Sequence, residues 1–239
     1  IAYFAGIFID CPSCLGMEIV NNTDRVTRGD RDLWDELLQV VIPKGRNIWA
    51  FADDDSEKLN EVGRSFEFFV LPENDEANVK KAMKDGNFFA ASKYYKTTDG
   101  VGDFDGDGNV PLVTDIKVDQ KANTITVATD PTRDCRVIEW IADGKVIATG
   151  NTIDLNDYEK DLGCYIRFQM KGSGGVTYSQ PFELQYKGRI DKPVPSWALW
   201  VFKTEAGQKF MKFYHSHSFA LGALIAEKIR ILIEDNIKK

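Results

Sequence analysis

Strands alternate with amphipathic helices over the first 94 residues, and this alternation constrains the fold most. Apolar runs at 16–20, 48–52 and 66–71 predict strands. The helix expected between the first two strands carries apolar residues at helical spacing, namely Leu33, Trp34, Leu37, Leu38 and Val41. Because this alternation is typical of parallel sheets and barrels, we expect an α/β domain with a site at the carboxyl ends of its strands.

The pattern changes after Lys93. Residues 95–111 are rich in glycine and aspartate and predict an acidic linker. Residues 112–186 then show short alternating strands, with Asp143-Gly144 as a hairpin turn, and indicate an immunoglobulin-like β-sandwich. The fold class is therefore α/β plus all-β.

Residues 187–239 predict a C-terminal helical tail. Its apolar stripe comprises Leu221, Leu224, Ile225, Ile229, Leu232 and Ile233, at the spacing of one amphipathic helix. We expect this helix to dock or to form a homo-oligomer.

Charge and composition exclude several classes of partner. The net charge is −7 and there is no basic stripe, so nucleic acid is not an expected partner. No apolar run reaches the ~18–20 residues of a membrane span. Cys11 and Cys14 have the spacing of zinc or redox motifs but lack a second ligand pair, which favours structural or free thiols. Since the chain begins at Ile1 rather than Met, we expect its natural N-terminus to lie upstream.

Three adjacent acids, Asp53, Asp54 and Asp55, follow the run at 48–52 directly. Carboxylates that project from the end of a strand can bind divalent cations. Adjacent acids also repel one another, and a solvated loop relieves that repulsion without any metal. Both interpretations are open at this point.

Most of the first 94 residues resembles the C-terminal portion of the PHP family, named for polymerase and histidinol phosphatase. The resemblance lies in GMEIVNN at 16–22, LWD at 33–35, WAFADDDS at 49–56, LPE at 71–73 and VKKAM at 79–83. It implies part of a distorted (β/α)7 barrel and a multinuclear metal site that hydrolyses phosphate esters. The implied metal is zinc, manganese or iron, and the implied substrate is a phosphorylated small molecule.

The resemblance also assigns residues. In the family, an Asp and a His two residues later complete the metal site, which corresponds to Asp55 and Glu57 here. A glutamate favours harder ions than imidazole does. Glu18, Asn21 and Asp54 are implied to line the pocket.

The family's histidine-rich ligand motifs lie upstream of the Glu18 region, and only 17 residues precede it here. We therefore expect a metal-dependent phosphoesterase that is incomplete and inactive as given, so whether the chain is an enzyme stays open. The alternative is a non-catalytic binding protein. Its sandwich would recognise a protein or glycan, and its tail helix would mediate assembly.

Three further motifs have two interpretations each. His215 and His217 form a His-x-His that is either a ligand pair donated to the metal site or ordinary surface histidines. A calcium loop or an acidic turn explains the oxygen ligands Asp103, Asp105, Asp107 and Asn109. Trp140 is expected in the sandwich core rather than as a sugar platform, because its neighbours alternate as in a buried strand.

Overall fold

The structure, a computed structural model, describes residues 1–184. The predicted tail helix and the pair His215 and His217 lie outside the described residues. The helices are α1 (Ala2–Asp10), α2 (Asp30–Val41) and α3 (Glu76–Asp85). The strands are β1 (Gly16–Asn21), β2 (Trp49–Asp53), β3 (Ser65–Phe69), β4 (Phe88–Ser92), β5 (Tyr94–Tyr95), β6 (Phe104–Asp105), β7 (Val113–Asp119), β8 (Thr124–Thr129), β9 (Val137–Ala142), β10 (Lys145–Thr149), β11 (Thr152–Asp154), β12 (Tyr165–Gly172), β13 (Gly175–Tyr178) and β14 (Phe182–Glu183). Short 3-10 helices occupy Ile42–Lys44, Leu59–Glu61 and Leu155–Tyr158.

The first unit is a β1-α2-β2 crossover, as the sequence predicts. β1 and β2 are parallel neighbours. α2 begins with Asp30 and Asp32 in its first turn, where carboxylates are favourable for the helix dipole. Its apolar face packs on β1 and buries Trp34 completely, and the indole N–H of Trp34 donates to the Ile48 carbonyl at 2.8 Å. This hydrogen bond joins α2 to the residue that immediately precedes β2.

Residues 1–184 form mostly β-sheet with three α-helices and contain no closed barrel, so the expected C-terminal part of a (β/α)7 barrel stays a prediction. β3 and β4 run antiparallel, with Phe69 opposite Phe88. Residues 70–87, which contain α3, connect these two paired ends of β3 and β4, and Gly86 ends the helix in a left-handed conformation two residues before β4 starts. The chain therefore returns beside β3 in the opposite direction, and the parallel repeat predicted for this unit was wrong.

The second half forms a β-sandwich. One layer contains β10, β9, β12 and β14, and the other is the sheet β11-β8-β7. The β9–β10 hairpin turns at Asp143-Gly144, where both residues have positive φ, as the sequence predicts. Trp140 lies in the core between the layers, with 0% exposure, and its indole N–H donates to the Gly150 carbonyl at 2.8 Å. The prediction of a core tryptophan is confirmed, whereas the immunoglobulin-like topology stays a prediction.

The two halves share one sheet. Its order is β10-β9-β12-β13-β4-β3, and β13 pairs antiparallel with β4, placing Thr177 opposite Ala91. Gly175 makes this contact possible, because a Cβ there would lie 2.2 Å from the Ser92 carbonyl oxygen. The division at residues 95–111 stays a prediction, since hydrogen bonds of this sheet bridge the parts on either side of it.

Two side chains cover the free edge of β2. The Gln180 amide both accepts from the Ala50 N–H at 2.8 Å and donates to the Ala50 carbonyl at 2.9 Å. Glu67 on β3 accepts from the Ala52 N–H at 2.8 Å. These bonds satisfy backbone groups that a neighbouring strand would otherwise pair.

Among residues 1–184, every helix is too short or too polar to cross a membrane.

Candidate functional site

The carboxyl ends of β1 and β2 lie side by side. Asn21 is opposite Asp53, and the Asn22 N–H donates to the Asp53 carbonyl at 2.8 Å. Both loops leave the strands through left-handed residues, with φ of 50° at Asn22 and 45° at Asp55. Asn and Asp adopt this conformation more readily than other residues with a side chain. The parallel crossover thus brings two of the predicted segments, 18–22 and 53–55, to one edge, which we call the carboxyl edge.

Glu18 and Asn21 are in direct contact. The Asn21 side-chain amide donates to Glu18 Oε1 at 2.8 Å. Burial raises the pKa of Glu18, the Asn21 hydrogen bond opposes this shift, and the charges of Asp53 and Asp55 raise the pKa further. Burial and the neighbouring charges of Asp54 and Asp55 likewise raise the pKa of Asp53. The carboxyl groups of Glu18, Asp53 and Asp55 therefore lie close enough to repel one another when they are charged.

Asp54 anchors the following loop. Its carboxylate accepts the backbone N–H groups of Gly63, Arg64 and Ser65 at 2.7, 2.6 and 2.8 Å. The Arg64 guanidinium in turn donates to Asn22 Oδ1 at 2.6 Å. Asp54, predicted to line a pocket, thus closes the loop between β2 and β3 and holds Arg64 at the carboxyl edge.

Glu67 is a member of this neighbourhood that the sequence predictions missed. Burial raises its pKa to about 7, against the hydrogen bond from Ala52, and the charge of Asp53 adds to the shift. The sequence does contain one indication of its role, because Glu67 is a single acid between Phe66 and Phe68. An acid in such an apolar run needs a hydrogen-bond partner if it is buried. That partner is the edge of β2.

Asp55 and Glu57 are both exposed, and the Glu57 backbone N–H donates to Glu61 Oε2 at 3.0 Å. Within the part of the chain that the structure describes, no three His, Cys, Asp or Glu side chains form a group that could hold a metal ion. The assignment of Asp55 and Glu57 as metal ligands stays a prediction.

The three aspartates of the predicted calcium motif have different partners, and Asp107 is bound by Asn109, the fourth residue of the motif. Asp103 accepts from the Thr97 N–H at 2.8 Å, and Asp105 forms an ion pair with Lys96. Asp107 accepts from the Asn109 N–H at 2.9 Å. These contacts are those of tight acidic turns around the short β5–β6 ladder, and calcium binding stays a prediction.

Because the pKa of Glu67 is raised, its effect on stability should depend on pH. A carboxyl group that holds its proton more tightly in the folded chain stabilises the fold fully below its unfolded pKa of 4.5. That contribution is lost as the pH rises through about 7. We expect Glu67→Gln to reduce the loss of stability between these pH values, measured by urea unfolding at both ends of the range.

Glu159→Gln is the matched control, since Glu159 is exposed and lies far along the chain from the carboxyl edge. It should retain the wild-type dependence on pH. An unchanged pH dependence in Glu67→Gln would show that Glu67 titrates normally in the folded chain.

Comparison of the chain with protein-family models, with curated proteins and with solved structures finds no match.

Proposed function

We propose that this chain is a PHP-like phosphoesterase unit whose carboxyl edge supplies part of a divalent-metal site. The resemblance at 16–22 and 49–56 supports this proposal. The observation that carries it is the approach of three carboxyl groups: β1 pairs with β2, and the charges of Asp53 at the end of β2 and of Asp55 in the loop after it both raise the pKa of Glu18 on β1. A bound cation would relieve this repulsion, and the resemblance places a metal ligand at Asp55.

The chemistry of the donors favours a hard cation. Glu18, Asp53 and Asp55 offer carboxylate oxygens, and the two histidines of the chain both lie in the tail. Oxygen ligands suit manganese or magnesium, whereas imidazole suits zinc and iron. Manganese is therefore the best fit among the metals implied by the resemblance.

When bound, such a metal would polarise a phosphate ester and activate water. The protein's own side chains have supporting tasks. Asn21 orients the Glu18 carboxylate through its 2.8 Å hydrogen bond, and Arg64 offers a guanidinium to a phosphate oxygen from its position beside Asn22. Because these side chains are a partial ligand set, we expect hydrolysis of phosphate esters by this chain to be absent or feeble.

Manganese binding tests the proposal. We expect the chain to bind Mn²⁺ weakly in equilibrium dialysis, and Asp55→Asn to weaken binding at least about tenfold because a charged oxygen ligand is lost. Asparagine tolerates the left-handed conformation at this position, so the loop should keep its shape. Glu57→Gln, measured in parallel, reports whether Glu57 is also a ligand.

Asp161→Asn removes the same charge from an exposed position in the sandwich and should bind Mn²⁺ as the wild type does. Equal binding of Mn²⁺ by the wild type and by Asp55→Asn would show that Asp55 is not a metal ligand and would contradict a metal site at the carboxyl edge. Rapid metal-dependent hydrolysis of a phosphate ester that survives Asp55→Ala with Glu57→Ala would overturn the expectation of a partial site.

A non-catalytic binding protein is the second candidate. It is favoured by a cavity between α2 and the sandwich, whose lining residues include none of Glu18, Asp53 and Asp55. A ligand there would need no metal.

A further inference from the structure

Two thiols lie at the ends of one tight turn between α1 and β1. The Cys14 N–H donates to the Cys11 carbonyl at 2.9 Å, which is the hydrogen bond that joins the first and fourth residues of a β-turn. In such a turn, the Cα atoms of these two residues are less than about 7 Å apart. A disulfide joins Cα atoms that are ~4.4–6.8 Å apart, so this backbone brings the cysteines to the separation that a disulfide needs. Both are free thiols in the structure.

The turn is held in place by its own sequence and by one distant side chain. Pro12 is its second residue, where the proline ring fixes φ at a value that suits a turn. Arg46, which lies before β2, donates from Nε to the Phe8 carbonyl at 3.0 Å and from Nη2 to the Pro12 carbonyl at 3.3 Å. Nη2 also donates to the Cys14 carbonyl. Because folding has fixed this backbone, little conformational freedom remains to be lost when the two sulfurs are joined.

The two thiols differ in exposure. Cys11 is exposed, whereas Cys14 is half-buried and packs against the core, as Ile9 and Met17 do. A small molecule from solution therefore reaches the Cys11 sulfur more readily. The Cys14 sulfur is the one placed to react with Cys11 from within the protein.

Other uses of a Cys-x-x-Cys pair fit these surroundings less well. A structural zinc site has four ligands, and among residues 1–184 no third His, Cys, Asp or Glu joins the pair in a group that could hold a metal ion. In disulfide oxidoreductases, a helix N-terminus can stabilise the reactive thiolate. Cys11 instead follows the last residue of α1. A disulfide within the turn needs only the two thiols that are present.

We propose that Cys11 and Cys14 form a reversible disulfide by exchange with a low-molecular-weight disulfide. The Cys11 thiolate attacks one sulfur of the small disulfide, which releases one small thiol and leaves a mixed disulfide on Cys11. The Cys14 thiolate then attacks the Cys11 sulfur and releases the second small thiol. The two protein thiols lose two electrons and two protons in total, and the small disulfide gains them. The new bond closes the turn covalently at the junction of α1 and β1.

Glutathione is the probe that tests this proposal. The full chain is equilibrated with mixtures of reduced and oxidised glutathione, quenched with acid, alkylated in denaturant and digested with trypsin for mass spectrometry. Arg25 is the first basic residue, so the peptide 1–25 contains Cys11 and Cys14 and no other cysteine. We expect this peptide to become lighter by two hydrogen atoms and to lose both alkylation sites together.

The same equilibrium gives the effective concentration of one thiol at the other. We expect this value to exceed the ~1 mM scale of a short flexible linker at least about tenfold, because the turn holds the thiols together. Cys14→Ser should stop at the mixed disulfide between Cys11 and glutathione, because the second thiol is missing. Cys135→Ser removes a thiol elsewhere and should form the turn disulfide as the wild type does.

A second pair of variants tests the contribution of Arg46. Arg46→Lys keeps the positive charge but loses the planar guanidinium that reaches three carbonyl groups, and should lower the effective concentration at least about threefold. Arg25→Lys is the matched control, since Arg25 is exposed. It should keep the wild-type value.

The proposal is overturned if the peptide 1–25 keeps both thiols at every ratio of oxidised to reduced glutathione. It is also overturned if the wild type accumulates the mixed disulfide as Cys14→Ser does. An effective concentration that Arg46→Lys leaves unchanged would contradict it too, since the held turn would then not be what joins the thiols. The turn precedes β1 and the carboxyl edge follows it, so these results are separate from manganese binding.

Discussion

Replacing Asp35 with alanine should lower the free energy of unfolding by about 3–5 kcal/mol, because it leaves a buried charge without its partner. Asp35 is 2% exposed and binds the Arg167 guanidinium through both oxygens. It also accepts from the Tyr165 hydroxyl at 2.7 Å. Three donors would lose their acceptor at once. Urea unfolding of the variant and the wild type measures the difference.

A double variant separates the lost charge pair from the lost packing. Asp35→Leu with Arg167→Met replaces the ion pair with apolar side chains, and we expect it to recover much of the stability that Asp35→Ala loses. The exposed Asp161→Ala should change the free energy of unfolding by less than about 0.5 kcal/mol. A change below about 1 kcal/mol for Asp35→Ala would mean that the pair contributes no more than an exposed one.

Trp140→Ala should have a comparable effect, lowering the free energy of unfolding by about 3–5 kcal/mol. The ring is fully buried and lies 5.3 Å from the Phe168 ring in an edge-on arrangement, so its loss leaves a large cavity between the layers of the sandwich. The hydrogen bond to Gly150 is lost as well. Thermal and urea unfolding measure the change.

The shared sheet adds a second expectation for this variant. Because β13 pairs with β4, weakening the sandwich should also loosen the β1-α2-β2 unit. Amide hydrogen exchange in α2 should therefore accelerate in Trp140→Ala. Trp140→Phe, which keeps an aromatic ring, should show a smaller effect on both measurements. Unchanged exchange in α2 would mean that the two halves unfold independently.

Local patterns in the sequence predicted the parts of the fold that depend on near neighbours. The helical spacing of Leu33 to Val41 predicted α2, and Asp143-Gly144 predicted the hairpin because its two residues accept positive φ. The alternation around Trp140 predicted its burial. In each case the deciding interactions lie within a few residues of one another.

The interactions that the sequence could not predict join distant residues. Asp35 and Arg167 are separated by 132 positions, and nothing local marks either as a buried ion pair. The pairing of β4 with β13 depends on Gly175, whose close approach to Ser92 exists only after folding. The acids 53–55 were predicted as one group. In the structure, the Asp54 carboxylate instead accepts hydrogen bonds from the backbone N–H groups of residues 63–65.

The same limit applies to the candidate site. The alternation of strands and helices predicted that Asn21, Asn22 and the acids 53–55 would lie at the carboxyl ends of the strands, and β1 and β2 end side by side at Asn21 and Asp53. The position of Glu67 beside this edge could not be predicted, since β3 contacts β2 through the Glu67 side chain and the Ala52 N–H rather than through backbone hydrogen bonds between paired strands.

Gln180 has a consequence for how such a chain can evolve. It belongs to the sandwich half, yet its amide completes the hydrogen bonds of Ala50 in the other half. Recombination that exchanged the sandwich for an unrelated module would leave that backbone unpaired and open to association with foreign strands. The two halves are therefore expected to be inherited together, as a single evolutionary unit.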